Sequence, residues 1–167
     1  MCLRLSQEDA MDKNNDSTQT SKSLPWYKEG LRFQCTECGK CCTGSPGYVW
    51  ITELEMQAVA KLLKMSLEMF KKKYTRQREN RYSLIEKKNF NNEYDCIFLK
   101  DKKCSIYQER PRQCRTFPWW KENLASEESW KAAAQYCEGI HEEAALVPYE
   151  KIEQQLHLNQ NSLIQKS

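Results

Sequence analysis

Four cysteines lie within eight residues of this chain, in the stretch CTECGKCC that runs from Cys35 to Cys42. Cys35, Cys38 and Cys41 repeat the Cys-x-x-Cys spacing twice, which matches the first three ligands of a ferredoxin-type cluster site. Cys42 breaks that pattern, because the side chains of adjacent residues diverge and two neighbours seldom bind one mononuclear ion. The spacing therefore predicts that this CTECGKCC segment serves more than one metal atom.

Four more cysteines follow along the chain: Cys96, Cys104, Cys114 and Cys137. Together the eight thiols can supply two tetrathiolate sites or one polynuclear thiolate cluster. Each four-thiolate site would carry about two net negative charges. The cations beside the cysteines could offset that charge, although the lysines among them could equally form a solvated face: Lys40, Lys102, Lys103, Arg110, Arg112 and Arg115. We predict all eight cysteines as metal ligands and exclude the ninth, Cys2, which is isolated in the polar N-terminal segment.

The spacing of the downstream cysteines gives a slight preference between metals. Zinc modules usually pair two Cys-x-x-Cys units, whereas here seven residues separate Cys96 from Cys104 and nine separate Cys104 from Cys114. This wide spacing and the ferredoxin-like triple favour an iron–sulfur cluster slightly over zinc. His141 follows the last cysteine at a spacing that occurs in zinc sites, but we interpret it as a surface histidine.

Composition bears on the compartment in which these thiols act. The chain has 167 residues with 26 basic and 23 acidic side chains, a near-balance that gives no general reason to expect a nucleic-acid partner. No apolar run is long enough to cross a membrane, and the polar N-terminus lacks the apolar stretch of a secretory signal. We therefore expect a cytoplasmic protein whose cysteines stay reduced and bind metal, whereas an oxidising compartment would favour disulfides.

The elements that must position the cysteines can be read from capping and periodicity. Residues 1–24 are predicted to be a disordered polar tail, 25–145 a cysteine-cluster metal-binding domain, and 146–167 a C-terminal helix with a frayed end. Capping signals predict helices that begin after Thr52 and Ser66, the first of these with a capping box completed by Glu55. A further helix is predicted after Ser126, and one short helical turn between two prolines around Cys114.

A β-hairpin is predicted where CIFL and CSIY flank the polar residues KDKK. A four-residue loop would place Cys96 and Cys104 on opposite faces, whereas a shift of one residue would bring them to the same face. The predicted fold class is therefore α+β: a small, mostly helical single domain with a short β-hairpin, organised around a metal–thiolate centre.

Three stretches in this order resemble a known family: CTECGKCC, then DCIFLKDKKCSIYQERPRQCRTFPWW, then YCEGI. The chain resembles the YkgJ-like cysteine-cluster proteins, the zinc- or iron-chelating CxxCxxCC domain. That pattern has the four-cysteine segment, a helical pair, a C-x-F-L segment, C-S-I-Y-x-x-R-P-x-x-C-R-x-F-P, and a last cysteine before glycine. The resemblance covers roughly residues 33–141. It implies metal or iron–sulfur binding and strengthens the ligand assignment more than any biochemical role.

Three functions compete at this point. The first is a metal-binding protein, iron–sulfur or zinc, with a structural, electron-transfer or metal-handling role. The second is a metal-dependent oxidoreductase, or an accessory subunit of a protein-modifying, methylase-like enzyme, as relatives of the resembled domain suggest. No glycine-rich cofactor loop or catalytic triad is present, so an enzyme would have to work at the metal itself or on a partner protein.

The third is a zinc module that binds a protein partner or single-stranded nucleic acid, because RPRQCRTFPWWK mixes arginine with aromatic residues. We favour packing of Phe117, Trp119 and Trp120 over the metal site instead. Nucleic acid is therefore not expected as a partner, and metal binding is the predicted function.

Overall fold

The computed structural model describes residues 24–164 of the chain, with side chains as far as Asn159. The tail predicted at residues 1–24, including Cys2, lies outside the described residues except for Leu24. The α-helices within the described range are α1 (Glu53–Leu62), α2 (Leu67–Tyr74), α3 (Arg112–Arg115), α4 (Glu127–Tyr136) and α5 (Tyr149–Ile164). The strands are β1 (Leu31–Arg32), β2 (Val49–Ile51), β3 (Thr75–Arg78), β4 (Arg81–Leu84), β5 (Glu86–Lys88), β6 (Tyr94–Cys96), β7 (Leu99–Lys100), β8 (Lys103–Cys104) and β9 (Leu146–Val147).

The strands form four small antiparallel sheets. The largest has the order β2-β4-β3, and the others are the pairs β1–β9, β5–β6 and β7–β8. Helices account for 36% and strands for 18% of the residues that the structure describes. The α+β class is confirmed, whereas the expectation of a mostly helical domain overstates the helical share. Among residues 24–164, no helix combines the length and apolar character that crossing a bilayer requires.

The predicted helix starts are confirmed by their side-chain caps. The Thr52 hydroxyl accepts a hydrogen bond from the Glu55 backbone N–H, and the Glu55 carboxylate accepts one from the Thr52 N–H, which completes the capping box before α1. Ser66 and Ser126 cap α2 and α4 in the same way, each accepting from the backbone N–H three residues on. These starts depend only on residues three apart, which is why the sequence alone indicates them.

The hairpin near the downstream cysteines exists, but its turn is tighter than predicted. β7 and β8 pair Leu99 with Cys104 around a two-residue turn. Asp101 and Lys102 in that turn have φ values of 47° and 62°, as a type I′ hairpin turn requires. Cys96 lies outside this hairpin, in β6, where it pairs with Glu86 of β5. Cys96 and Cys104 therefore lie in different pairs of strands, and neither of the two predicted hairpin registers describes them.

Two separate hydrophobic cores hold these elements together. The first is formed by α1, α2, the inner face of the three-stranded sheet and the segment around the hairpin, with these buried residues: Ile51, Met56, Val59, Ala60, Phe70, Leu84, Phe98 and Ile106. The second joins the start of the domain to its last two helices: Tyr27, Leu31, Trp119, Leu124, Trp130 and Ile152. Because each core is small, the stability of the domain also depends on the region between the two cores.

Candidate metal centre

All eight predicted ligands line one cavity of about 120 Å³: Cys35, Cys38, Cys41, Cys42, Cys96, Cys104, Cys114 and Cys137. All eight are free thiols. Leu84, Phe98 and Ile106 of the first core also line the cavity, and so does Phe33, which packs against the second core. A cavity needs only about 10–15 Å³ to hold one water molecule. The cysteines therefore surround a space between the two cores that is larger than one ion needs.

Six parts of the chain deliver these thiols. Cys35 and Cys38 lie in an extended loop, and Cys41 and Cys42 lie in a short 3-10 turn, Lys40–Cys42. The others occupy the ends of elements: Cys96 ends β6, Cys104 ends β8, Cys114 lies in α3 and Cys137 directly follows α4. Residues up to 102 positions apart in the sequence thus meet at one place, which no local sequence signal specifies.

Two glycines allow the CTECGKCC segment to approach its neighbours. Gly39 has a φ of 74°, and a Cβ at this position would collide with the Lys102 carbonyl oxygen and the Leu99 side chain. A Cβ at Gly139 would collide with the Gln34 carbonyl oxygen, while the Gln34 N–H donates to the Gly139 carbonyl at 2.9 Å. The segment is therefore fixed against the β7–β8 hairpin on one side and against the end of α4 on the other.

Cys41, Cys42 and Cys104 influence one another's ionisation. The protonated Cys42 thiol has a single S–H to donate, and its interaction with each neighbour favours that neighbour's ionised form, which lowers the pKa of Cys41 to about 7 and that of Cys104 to about 6. The positive charge of Arg110 also lowers both values. The pKa of Cys42 is raised because its thiol interacts with the Cys104 and Cys41 sulfurs and because it is buried. Cys41 and Cys104 are therefore the thiols of the cavity whose ionised forms are favoured, whereas the raised pKa of Cys42 favours its protonated form.

The remaining buried thiols favour their protonated forms. Desolvation raises the pKa of Cys96 to about 11 and also raises the pKa values of Cys114 and Cys137. Cys114 keeps some exposed surface as a residue, but its thiol faces the cavity. A metal ion binds thiolates, so binding here would have to release protons and compensate for this burial.

Tyr107 and Arg110 also line the cavity. The Tyr107 hydroxyl donates to the Cys35 sulfur at 3.7 Å. The Arg110 guanidinium lies 3.6 Å from the centre of the Tyr107 ring and donates to the Tyr107 carbonyl at 2.7 Å. Tyr107 was not predicted from the sequence, although its position three residues after Cys104, in CSIY, could have drawn attention to it. Among the predicted cations, Arg110 therefore has the closest connection to the thiols.

The other residues that the sequence predicted near the cysteines differ in whether they line the cavity. Lys40 and Arg115 also line the cavity, but they pair with Glu138 and Glu55 respectively. The remaining predicted cations do not line it: Lys102, Lys103 and Arg112. Of the aromatic residues expected to cover the site, Phe117 lines the cavity, Trp119 lies in the second core, and Trp120 packs edge-on against Phe117 at 5.2 Å. His141 is not part of the cavity wall.

The donor chemistry of the cavity fits a thiolate-bound metal, whereas the exact coordination geometry is not formed. Eight sulfur donors with neighbouring positive charge suit zinc or iron. Among the described residues, however, no three His, Cys, Asp or Glu side chains stand in an arrangement that would hold a metal ion. The fold thus collects the ligand atoms around one space, and binding would require side-chain adjustment.

Comparison with known proteins identifies a family, and the relatives include an uncharacterized protein. Residues 34–138 match the family CxxCxxCC, described as a "Putative zinc- or iron-chelating domain". An uncharacterized protein of Methanocaldococcus jannaschii is 35% identical over 95 residues, which are 56% of this chain and 48% of that protein. The aligned region thus spans about half the length of this curated relative. No solved structure matches the chain significantly.

Proposed function

The chain belongs to the CxxCxxCC family, and we propose that its eight clustered cysteines bind iron or zinc as thiolates. The observation that carries this proposal is the convergence of eight free thiols, from six parts of the chain, on one cavity. Buried cysteines are common in ordinary cores, where they act as small apolar side chains. Eight cysteines around a space that no side chain fills, two of them exposed and six partly buried, are better explained by a ligand that binds sulfur.

The position of the cavity supports a role in holding the domain together. The first core contributes Leu84, Phe98 and Ile106 to its wall, and Phe33 connects it to the second core. Small domains that cannot build one large core often depend on a metal or on disulfides. Metal binding here would join the two cores, so its free energy would contribute directly to folding.

We further propose an iron–sulfur cluster in slight preference to zinc. The cavity volume of about 120 Å³ exceeds what a single ion needs, and the adjacent residues Cys41 and Cys42 suit a polynuclear centre. Cys35 and Cys41 are exposed, so part of the centre would lie near the surface. Electron exchange or metal transfer with a partner protein requires that kind of access, and these are the roles the proposal favours alongside the structural one.

The experiment is a count of iron, zinc and acid-labile sulfide per chain in protein purified without oxygen. Iron with matching sulfide would support the cluster, and zinc without sulfide would support a structural or metal-handling zinc site. Cys38→Ser should lose metal, whereas the matched control Cys2→Ser, outside the described domain, should keep it. Circular dichroism of each variant separates loss of metal from loss of fold. Equal metal in the two variants, or disulfides with no metal in the wild-type protein, would contradict the proposal.

A further inference from the structure

The three-stranded sheet has one face in the first core and one face turned away from it. Side chains alternate along a strand, and Ile51 and Leu84 point into the core. The residues that alternate with these two along their strands, Trp50 in β2 and Arg81 and Ser83 in β4, therefore belong to the opposite face. Arg76 and Arg78 of β3 belong to it as well, because they pair with Ser83 and Arg81. The arginine–aromatic face consists of Trp50, Arg76, Arg78 and Arg81, together with Tyr48, which directly precedes β2 and stacks on Trp50. Ser83 has the same orientation in β4 but is fully buried.

Two aromatic rings and two arginines form a continuous stack on this face. The rings of Tyr48 and Trp50 lie parallel, 4.9 Å apart with an interplanar angle of 4°. The guanidinium of Arg76 lies 4.6 Å from the centre of the Tyr48 ring, and that of Arg81 lies 4.0 Å from the centre of the Trp50 ring. Each ring thus has a cation against it, and the stack holds the guanidinium groups in fixed positions.

The face lies in the most basic part of the chain. Residues 71–88 contain eight lysines and arginines against two glutamates. Since the whole chain has a formal net charge of +3, the rest of the molecule is net acidic. Arg76 pairs with Glu86 at 3.0 Å, but among the described residues neither Arg78 nor Arg81 has an acidic partner. The near-neutral composition of the chain therefore conceals a strongly basic segment, and three of its arginines, Arg76, Arg78 and Arg81, lie on this face.

We propose that the arginine–aromatic face binds single-stranded nucleic acid. Guanidinium groups contact phosphates, and their planes stack on unpaired bases, so a flat sheet face with arginines held on aromatic rings offers both contacts. Insertion into a lipid surface would need free aromatic rings, whereas here each ring has a guanidinium against it, Trp50 is partly buried, and Tyr48 is 45% exposed. The face is on the opposite side of the sheet from Leu84, which lines the cysteine cavity, so this function is separate from metal binding.

The test is fluorescence anisotropy with labelled single strands of about 12 nucleotides, in RNA and DNA versions, on the full chain with its metal. Two arginine–phosphate contacts on a single strand, from Arg78 and Arg81, predict a slope of log K against log salt of about −1.4. Raising the salt from about 50 mM to about 200 mM should then weaken binding by about sevenfold. The double variant Arg78→Gln/Arg81→Gln should bind at least about tenfold more weakly and lose most of the salt dependence.

The matched control is Lys28→Gln/Lys121→Gln, which removes the same charge from two exposed positions outside residues 71–88. It should bind as the wild-type protein does, and unchanged circular dichroism and metal content would show that both double variants are folded. The proposal is overturned if the wild-type protein does not bind single strands at low salt or if the control loses binding equally. It is also overturned if a duplex binds as tightly as the single strand, or if only vesicles containing phosphatidylserine bind.

Discussion

The Glu55 carboxylate connects two helix starts, and its removal should be unusually costly. One oxygen accepts hydrogen bonds from the Thr52 N–H at 2.8 Å and the Thr52 hydroxyl at 2.9 Å. The other accepts from the backbone N–H of Arg112 at 2.6 Å, at the start of the short helix α3, which contains Cys114. The side chain is only 13% exposed. Glu55 was predicted as one half of the capping box before α1. It also fixes the start of α3, the helix that contains the proposed ligand Cys114.

The magnitude follows from these contacts. Glu55→Ala removes two backbone hydrogen bonds to a charged acceptor, each worth about 1.5–3 kcal/mol. The ion pair with Arg115, at 3.8 Å and 46% exposed on the arginine side, adds less than about 1 kcal/mol. Taking the lower end because the site is only partly buried, we expect a loss of about 3 kcal/mol in the free energy of unfolding. For a chain of this size that corresponds to a decrease in Tm of about 6–12 °C.

The assay is urea unfolding of the protein as purified, followed by circular dichroism, with metal content measured on the same samples. Glu53→Ala is the matched control, because Glu53 lies in the same helical turn but is 56% exposed and pairs with Lys71 at the surface. Its loss should stay under about 1 kcal/mol. Glu55→Gln, which keeps one acceptor oxygen without the charge, should fall between the two. If Glu55→Ala and Glu53→Ala differ by less than about 1 kcal/mol, the connecting role assigned to this carboxylate is wrong.

Two further substitutions test the walls of the cysteine cavity. Gly39→Ala should lower the metal content per chain, because its φ of 74° and the nearby Lys102 carbonyl exclude a Cβ, whereas Gly47→Ala, with its nearest neighbour 3.9 Å away, should not. Equal metal content in these two variants would contradict the close approach. Tyr107→Phe should keep its metal but release it to a chelator about tenfold faster, because the hydrogen bond to the Cys35 sulfur is lost. Tyr136→Phe, on the same cavity wall and exposed, is the control, and equal release rates would refute a role for the hydroxyl.

Local signals in the sequence were reliable wherever the interacting residues are close in the chain. The capping box at Thr52 and the caps at Ser66 and Ser126 each involve residues three apart, so the pattern contains the whole interaction. The choice of eight cysteines also came from spacing and from the family resemblance. The strands were harder to predict, because they are two to four residues long and too short for an alternating pattern to stand out. That is why the helical share was overestimated.

The tertiary structure decided which distant residues meet. The sequence by itself named the eight cysteines, but only the fold brings Cys35 to Cys137 around one cavity and places Tyr107 against Cys35, 72 positions away. Likewise, composition gave no reason to expect a nucleic-acid partner, whereas the pairing of β3 with β4 and β4 with β2 gathers three arginines and two aromatic rings on one face. Overall charge and local spacing do not depend on strand register, but the position of a side chain on a surface does. The identity of the eight cysteines was therefore determined by the sequence, and their meeting place and the arginine–aromatic face by the packing of the chain.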